Sequence, residues 1–330
     1  MHSLSSIGLA LAGAVTVSAH SYVLDIDVDL KTYPGFRPMN GSENAPVIVG
    51  WNTSAWDMGW IGEDSYATPD IVCHKNAENA QGYAPVAAGD KVHIQWNGWP
   101  EGHKGPVVDY LASCGDEGCE SVDKTTLEFF KINQGGLINS SAMAPYGEWA
   151  SDQLIANNNS WLVEIPSSVK PGFYVLRTEI IALHNLTTGA QHYPQCLNLE
   201  ITGNGTELPV GILGEHLYNS TQPGLDRSLN VTTGVTSYLV PGPTLIPDAV
   251  SIPLSNPVPT GTGSIITATA SVSAIASKTA TSPSKTVHIV TVTVTATPGV
   301  KRGNGGSLFA RTTERAHVDE RRWYHQGLGF

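Results

Sequence analysis

Basic residues are scarce in this 330-residue chain, which carries 18 Lys and Arg against 29 Asp and Glu for a formal net charge of −11. The imbalance is steeper over Met1 to Val240, where 25 acids face 10 bases, a net of −15. Such a surface repels polyanions, which excludes nucleic-acid binding as a function class and suits a neutral polymer or a small solute better. Long apolar runs are also missing: Ile7 to Val17 is too short to span a bilayer as a helix, and no later segment is longer. No stretch sustains a helical hydrophobic period, so a helix bundle is excluded. Cysteine is limited to Cys73, Cys114, Cys119 and Cys196, and without a second CxxC-type pair a zinc cluster is not expected.

What is present begins with a leader. Ile7 to Val17 is uncharged and apolar and leads into Val17-Ser18-Ala19, small residues of the kind a signal peptidase reads, so residues 1–19 are expected to be removed before His20. About 310 residues would remain, enough for one packed domain and a tail. Four cysteines in an exported chain favour two disulfides and allow three pairings. The simplest closes the short Cys114/Cys119 loop and leaves Cys73 with Cys196, but the sequence alone does not choose. Asn-x-Ser/Thr triplets at Asn40, Asn52, Asn139, Asn158, Asn185, Asn204, Asn219 and Asn230 are candidate glycosylation sites and agree with passage to the extracellular space.

Short alternating segments between Gly, Pro and Asn predict an all-β domain. Tyr22, Leu24, Ile26, Val28 and Leu30 alternate with Asp25, Asp27 and Asp29, giving one buried and one wet face at period two. Val92, Ile94 and Trp96 repeat the pattern, as do Trp161, Val163 and Ile165, and then Leu197, Leu199 and Ile201. Phe173 to Leu183 is apolar on nearly both faces and suits a central strand. The expected architecture is an antiparallel β-sandwich, immunoglobulin- or fibronectin-like, with long loops. Composition changes after Pro241-Gly242-Pro243. We therefore divide the chain into a signal peptide (1–19), a folded domain (20–243), a Ser/Thr/Pro-rich low-complexity tail (244–300) and a basic C-terminal tail (301–330).

Three places carry chemistry. A chain beginning at His20 offers an α-amine and an imidazole on one residue, a ready chelate, and the amine sheds its proton far more easily than a lysine. His103 lies in the loop-like Trp96-Asn97-Gly98-Trp99-Pro100-Glu101-Gly102-His103-Lys104-Gly105-Pro106 and would add a third nitrogen, a set that suits copper. The third place is His184 to Cys196, where Gln191 and Tyr193 are two apart and leave an extended segment on the same face. Tyr193 would occupy a weak axial position, while His184 and Gln191 would hydrogen-bond an oxygen species without touching the metal. Taken singly, each has a plainer reading: a loop histidine, a buried tyrosine, a satisfied histidine at a strand end.

Together, His20, the His-x-Gly-Pro of His103 to Pro106 and the Gln-x-Tyr-Pro-x-Cys of Gln191 to Cys196 resemble the fungal lytic polysaccharide monooxygenases of auxiliary activity family 9. Thr68 to Cys73, Val122 to Lys131 and Trp149 to Asp152 extend the resemblance, which runs from His20 to about Pro243. It implies a sandwich with one copper on a flat face, held by the His20 amine, the His20 ring and the His103 ring, with Tyr193 axial and His184 and Gln191 behind. It implies the disulfides Cys73–Cys196 and Cys114–Cys119, a monomer, an external electron donor, and cellulose or a related β-glucan as substrate, cut by oxidation at C1, C4 or both. Aromatics suit a glucan because sugar rings present apolar C–H faces, and Tyr218, with Tyr33 as the weaker candidate, is expected to stack there. Thr178 departs from the family's common Arg-His-Glu, the Cys114/Cys119 loop carries one extra residue, and the loop around Lys31 to Asn40 differs more, which leaves substrate preference open.

Two other classes compete. A secreted copper-binding surface protein without turnover would have no use for His184, Gln191 and Tyr193. A glycoside hydrolase would need two carboxylates facing across a cleft, and no acidic pair stands out by motif.

Overall fold

The computed structural model describes residues 21–38, 48–184, 189–226, 231 and 234–251, together with the backbone of 264–265. His20 and the sequons at Asn40, Asn185 and Asn230 lie outside the described residues, as does nearly all of both expected tails. The chain divides into two units, Met1–Ser273 and Ala274–Phe330, and only the first contains described residues.

Strands β1 (Val23–Val28), β2 (Lys31–Pro34), β3 (Ala84–Ala87), β4 (Lys91–Trp96), β5 (Val107–Ser113) and β6 (Glu128–Gly135) come first. A small pair, β7 (Leu137–Asn139) and β8 (Glu148–Trp149), precedes β9 (Ser160–Glu164). Then follow the long β10 (Gly172–Leu183) and β11 (Ala190–Thr202), β12 (Ile212–Leu213) and a two-residue β13 (Ser264–Ile265). Two short helices, α1 (Asp70–Cys73) and α2 (Ala150–Ala156), sit in the connections; neither is long enough to print a helical period on the sequence. One sheet has the order β13-β2-β1-β4-β9 and the other β12-β6-β5-β10-β11-β3, so the expected sandwich is the fold.

The two sheets enclose a core that includes Ile26, Ile94, Trp96, Leu111, Trp161, Ile180, Tyr193 and Leu199. A second apolar layer covers the outer face of the larger sheet, where Tyr110, Val175 and Ile181 meet Trp51, Tyr66 and Ile71 of the long β2–β3 connection. Burial on both faces is why β10 reads as a nearly continuous apolar run. The alternation in β1 differs from expectation. Val23, Ile26 and Val28 point inward because an irregularity in the pairing with β4 between Val23 and Asp25 flips the phase. Leu30, expected to be buried, is 74% exposed in a turn at φ 63°.

Both disulfides form, Cys73–Cys196 and Cys114–Cys119. The packed chain also continues past the compositional boundary at Pro243, since the Ile246 amide donates to the Lys131 carbonyl and the Ile246 side chain packs on the core. Of the sequons described, Asn139, Asn158, Asn204 and Asn219 are exposed and Asn52 is half-buried.

Within the second layer lies a fully buried ion pair. Arg177 donates from two nitrogens to both oxygens of Glu179, at 2.8 and 3.1 Å, and from Nε and Nη2 to the carbonyls of Val72 and Ile71 at 2.7 and 2.9 Å. His192 Nδ1 donates to Glu179 Oε1 at 2.8 Å, and the Tyr218 hydroxyl donates to Glu179 Oε2. Burial alone would push the Glu179 carboxyl up, but Arg177 first and His192 next overcome it and hold it at about 2. Its stabilising contribution is therefore complete above its ordinary value of 4.5 and is lost as the pH falls toward about 2. Glu179→Gln strands a buried guanidinium and is expected to cost about 3–5 kcal/mol at neutral pH. Denaturant unfolding should report that loss, and the gap between wild type and variant should narrow below the ordinary carboxylate range.

Candidate metal centre

Alternation along β11 sorts its side chains. Gln191 and Tyr193 face one way, while His192 between them faces the buried Glu179 and sits 2.7 Å from the Tyr66 hydroxyl. The Gln191 carbonyl oxygen accepts from His184 Nε2 at 2.9 Å and from the Tyr193 hydroxyl at 3.2 Å, so one amide fastens the two residues to each other. Burial pushes the Tyr193 phenol up, with the Asp57 charge adding to it, and the group stays protonated near neutral pH. Burial likewise pulls His184 down against the Gln191 hydrogen bond, which favours a neutral ring.

His103 arrives on the loop after β4. That loop is laid against the end of β10: the Ile181 amide donates to the Pro106 carbonyl at 3.0 Å and the Leu183 amide to the Lys104 carbonyl at 2.8 Å. The approach is close enough that a Cβ on Gly105 would stand 1.9 Å from the Ile181 carbonyl oxygen, which is the physical reason for glycine in His-x-Gly-Pro. Lys104 forms an ion pair with Asp152 of α2, and Asp152 also accepts from the Trp149 amide. The result sets the His103 ring edge-on to His184, with ring centroids 4.7 Å apart.

Trp99 joins the two halves of the centre. Its indole N–H donates to the His103 carbonyl at 2.8 Å and its ring packs edge-on against Tyr193 at 4.9 Å. Its own amide donates to Asn159 Oδ1 at 2.9 Å. Nothing in the sequence marks Trp99 for this part, because an indole in a motif looks the same whether it packs or binds.

The same loop holds the chain next to His20. Ser21 is buried, and its hydroxyl lies 2.6 Å from the Gly98 carbonyl and 2.9 Å from Asn97 Oδ1. Asn97 Oδ1 also accepts from the Tyr22 amide at 2.9 Å, and the Asn97 amide donates back to the Tyr22 carbonyl at 3.0 Å. Ser21, the residue that follows His20 in the sequence, is thereby tethered to the loop that carries His103. Among the described residues no three His, Cys, Asp or Glu group to hold a metal. An imidazole and a protonated phenol suit copper better than a hard oxygen-seeking cation.

Tyr218 does not lie on such a face. It is 4% exposed, with its hydroxyl on Glu179 and 2.9 Å from that of Tyr110. Tyr33, 3% exposed, belongs to the core between the sheets. Tyrosine is amphipathic, and the segment around position 218 gave no sign of which end would be wet.

The sequence profile of Auxiliary Activity family 9 (formerly GH61) matches residues 20–238. The chain is 51% identical over 240 residues to AA9 family lytic polysaccharide monooxygenase D of Podospora anserina, covering 72% of this chain and 68% of that protein. It is 48% identical over 266 residues to AA9 family lytic polysaccharide monooxygenase G of Emericella nidulans, covering 78% and 96%. Among solved structures, the extended catalytic domain of H. jecorina LPMO9A is similar with a TM-score of 0.65 at 46% identity, covering 72% of this chain and 97% of that one.

The tether yields a test that needs no metal. Asn97→Ala should cost about 1 kcal/mol in denaturant unfolding and speed hydrogen exchange at the Tyr22 amide, while amides in β10 exchange as before.

Proposed function

Because the chain belongs to auxiliary activity family 9, the lytic polysaccharide monooxygenases, we propose that it is a secreted, copper-dependent enzyme that cleaves β-1,4-glucan, cellulose first, by oxidation at C1, C4 or both. The coarse activity comes with the family: the protein is an oxidoreductase acting on polysaccharide with electrons from an external reductant. Among the described residues no helix is long and apolar enough to cross a membrane. The mature protein would begin at His20, with the signal peptide 1–19 removed, and would carry the domain 20–243 and the tails 244–300 and 301–330 as a monomer.

The observation that carries the reading is the meeting of His103, His184, Gln191 and Tyr193 beside the tethered start of β1. The His20 amine, the His20 ring and the His103 ring would hold the copper, with Tyr193 as a weaker ligand. Bound copper would supply one-electron chemistry with peroxide or dioxygen, which side chains alone cannot provide.

The protein's part is to place and hydrogen-bond the reactants. His103 is fixed in depth by the Gly105 contact and in orientation by Trp99 and the backbone bonds to β10. Tyr193, protonated and pinned to Gln191, closes the buried side without adding a charge. Gln191 has its carbonyl oxygen engaged twice, which leaves its NH₂ as the donor toward the oxygen cosubstrate. His184 stands at the other side of that amide as the group able to hold or pass a proton.

Mass spectrometry of soluble products after the copper-loaded, processed protein meets cellulose, with and without reductant and peroxide, tests this reading. Reductant-dependent oxidised oligosaccharides are expected, and their oxidised end identifies the carbon attacked. A chelator or His103→Ala should abolish them; cleavage that survives copper removal would instead indicate a hydrolase. Gln191→Leu is expected to lower the rate about 10–100-fold.

A further inference from the structure

One acid of this domain lies between the two sheets, where the proposed chemistry makes no use of it. Asp109 of β5 is fully buried, and Val107 and Leu111, two residues away on either side along the strand, belong to the core between the sheets. Three other strands surround it. The Trp161 indole of β9 donates to Asp109 Oδ2 at 2.8 Å, and the Asn133 side-chain amide of β6 donates to the same oxygen at 3.0 Å. Thr178 of β10 stands opposite it across the ladder and is equally buried.

A charge in this place has no counter-ion. Among the described residues Asp109 forms no ion pair. Lys131 of β6 and Arg177 of β10 lie over the Tyr110 ring, in the layer outside the larger sheet. The Glu179 carboxylate, which also acts on Asp109, has the same sign, and the Tyr110 phenol, pushed up by burial, is neutral. The Thr178 hydroxyl is close enough to act as well, yet Thr178 Oγ1 and Asp109 Oδ1 are both shut away from water without completing a hydrogen bond. A proton on Oδ1 cancels the charge and lets that oxygen donate to the threonine, whereas a buried carboxylate without a cation is among the costliest groups a core can hold. Burial pushes the Asp109 carboxyl up to about 6, against the downward pull of Thr178, Trp161 and Asn133.

We propose that Asp109 is a proton switch on the stability of the sandwich: in acidic surroundings it is a neutral acid donating from Oδ1 to Thr178, and in neutral surroundings it releases that proton and becomes a buried charge with no counter-ion. The direction follows from the folded value lying above the ordinary 3.8. The stabilisation is complete below 3.8 and is lost as the pH rises through about 6. Glu179 slopes the other way, since its support is lost only as the pH falls toward about 2. The two buried acids together set the fold for an acidic medium, with its best stability near their ordinary values of 3.8 and 4.5.

Denaturant unfolding of the disulfide-bonded protein between about pH 4 and about pH 7.5 tests the switch on wild type and Asp109→Asn. Asparagine keeps the shape and offers an N–H where the acid has its proton, but it does not ionise. The folding constant of wild type relative to the variant should fall about 50-fold across that range, so that the asparagine protein gains on wild type as the pH rises. Curves that stay parallel at every pH overturn the proposal, because the charge on Asp109 would then be the same throughout. A second measurement needs no variant. In wild type with carbon-13-labelled aspartate carboxyls, one resonance should titrate near 6, far from the exposed aspartates, and a protein whose aspartates all titrate at or below the ordinary value overturns the proposal even if Asp109→Asn does not fold.

Discussion

A carboxylate with no access to water organises this protein. Glu179 sits on the outer face of the larger sheet, and its charge survives there only because Arg177, His192 and Tyr218 surround it. Each partner extends the constraint. Arg177 reaches the carbonyls of Ile71 and Val72 and so fixes the turn that presents Cys73 to Cys196. His192, drawn to Glu179, commits β11 to a phase in which Gln191 and Tyr193 face away from the ion pair and toward the candidate metal centre. A one-residue slip of β11 would expose the ion pair and dismantle the centre together.

The layered burial around this pair explains what the sequence could and could not convey. Strands with one wet face announce themselves by alternation, and β10 announces its central place by having no wet face. The inversion within β1 left no trace, because one displaced residue changes phase without changing composition. Thr178, the departure from the family's Arg-His-Glu pattern, pairs across the sheet with Asp109 and points away from its neighbours Arg177 and Glu179, so the network does not depend on it.

The site was legible where chemistry demands particular residue types and obscure where only position matters. His103, His184, Gln191 and Tyr193, which the fold brings together, stand out in the sequence because few side chains suit the roles proposed for them. Trp99, Asn97 and Ser21 act through a backbone carbonyl, a backbone amide and a serine hydroxyl, partners that no motif displays. Tyr218 reversed the usual risk: it resembled a surface aromatic in the sequence, while its hydroxyl was needed inside.

Ser21 leaves the first strand no slack. Its hydroxyl and the neighbouring amide are both spoken for by the Asn97-Gly98 bend, so the chain cannot slide to compensate for an error in trimming. Removal of one residue too many would delete the histidine itself. If the leader is cut before His20, as proposed, one residue too few would move the free amine onto Ala19 and leave the His20 nitrogen locked in a peptide bond, unable to act as an amine ligand. A fully folded precursor would then be chemically silent, and the peptidase, through its accuracy to a single bond, would be the agent that switches the enzyme on.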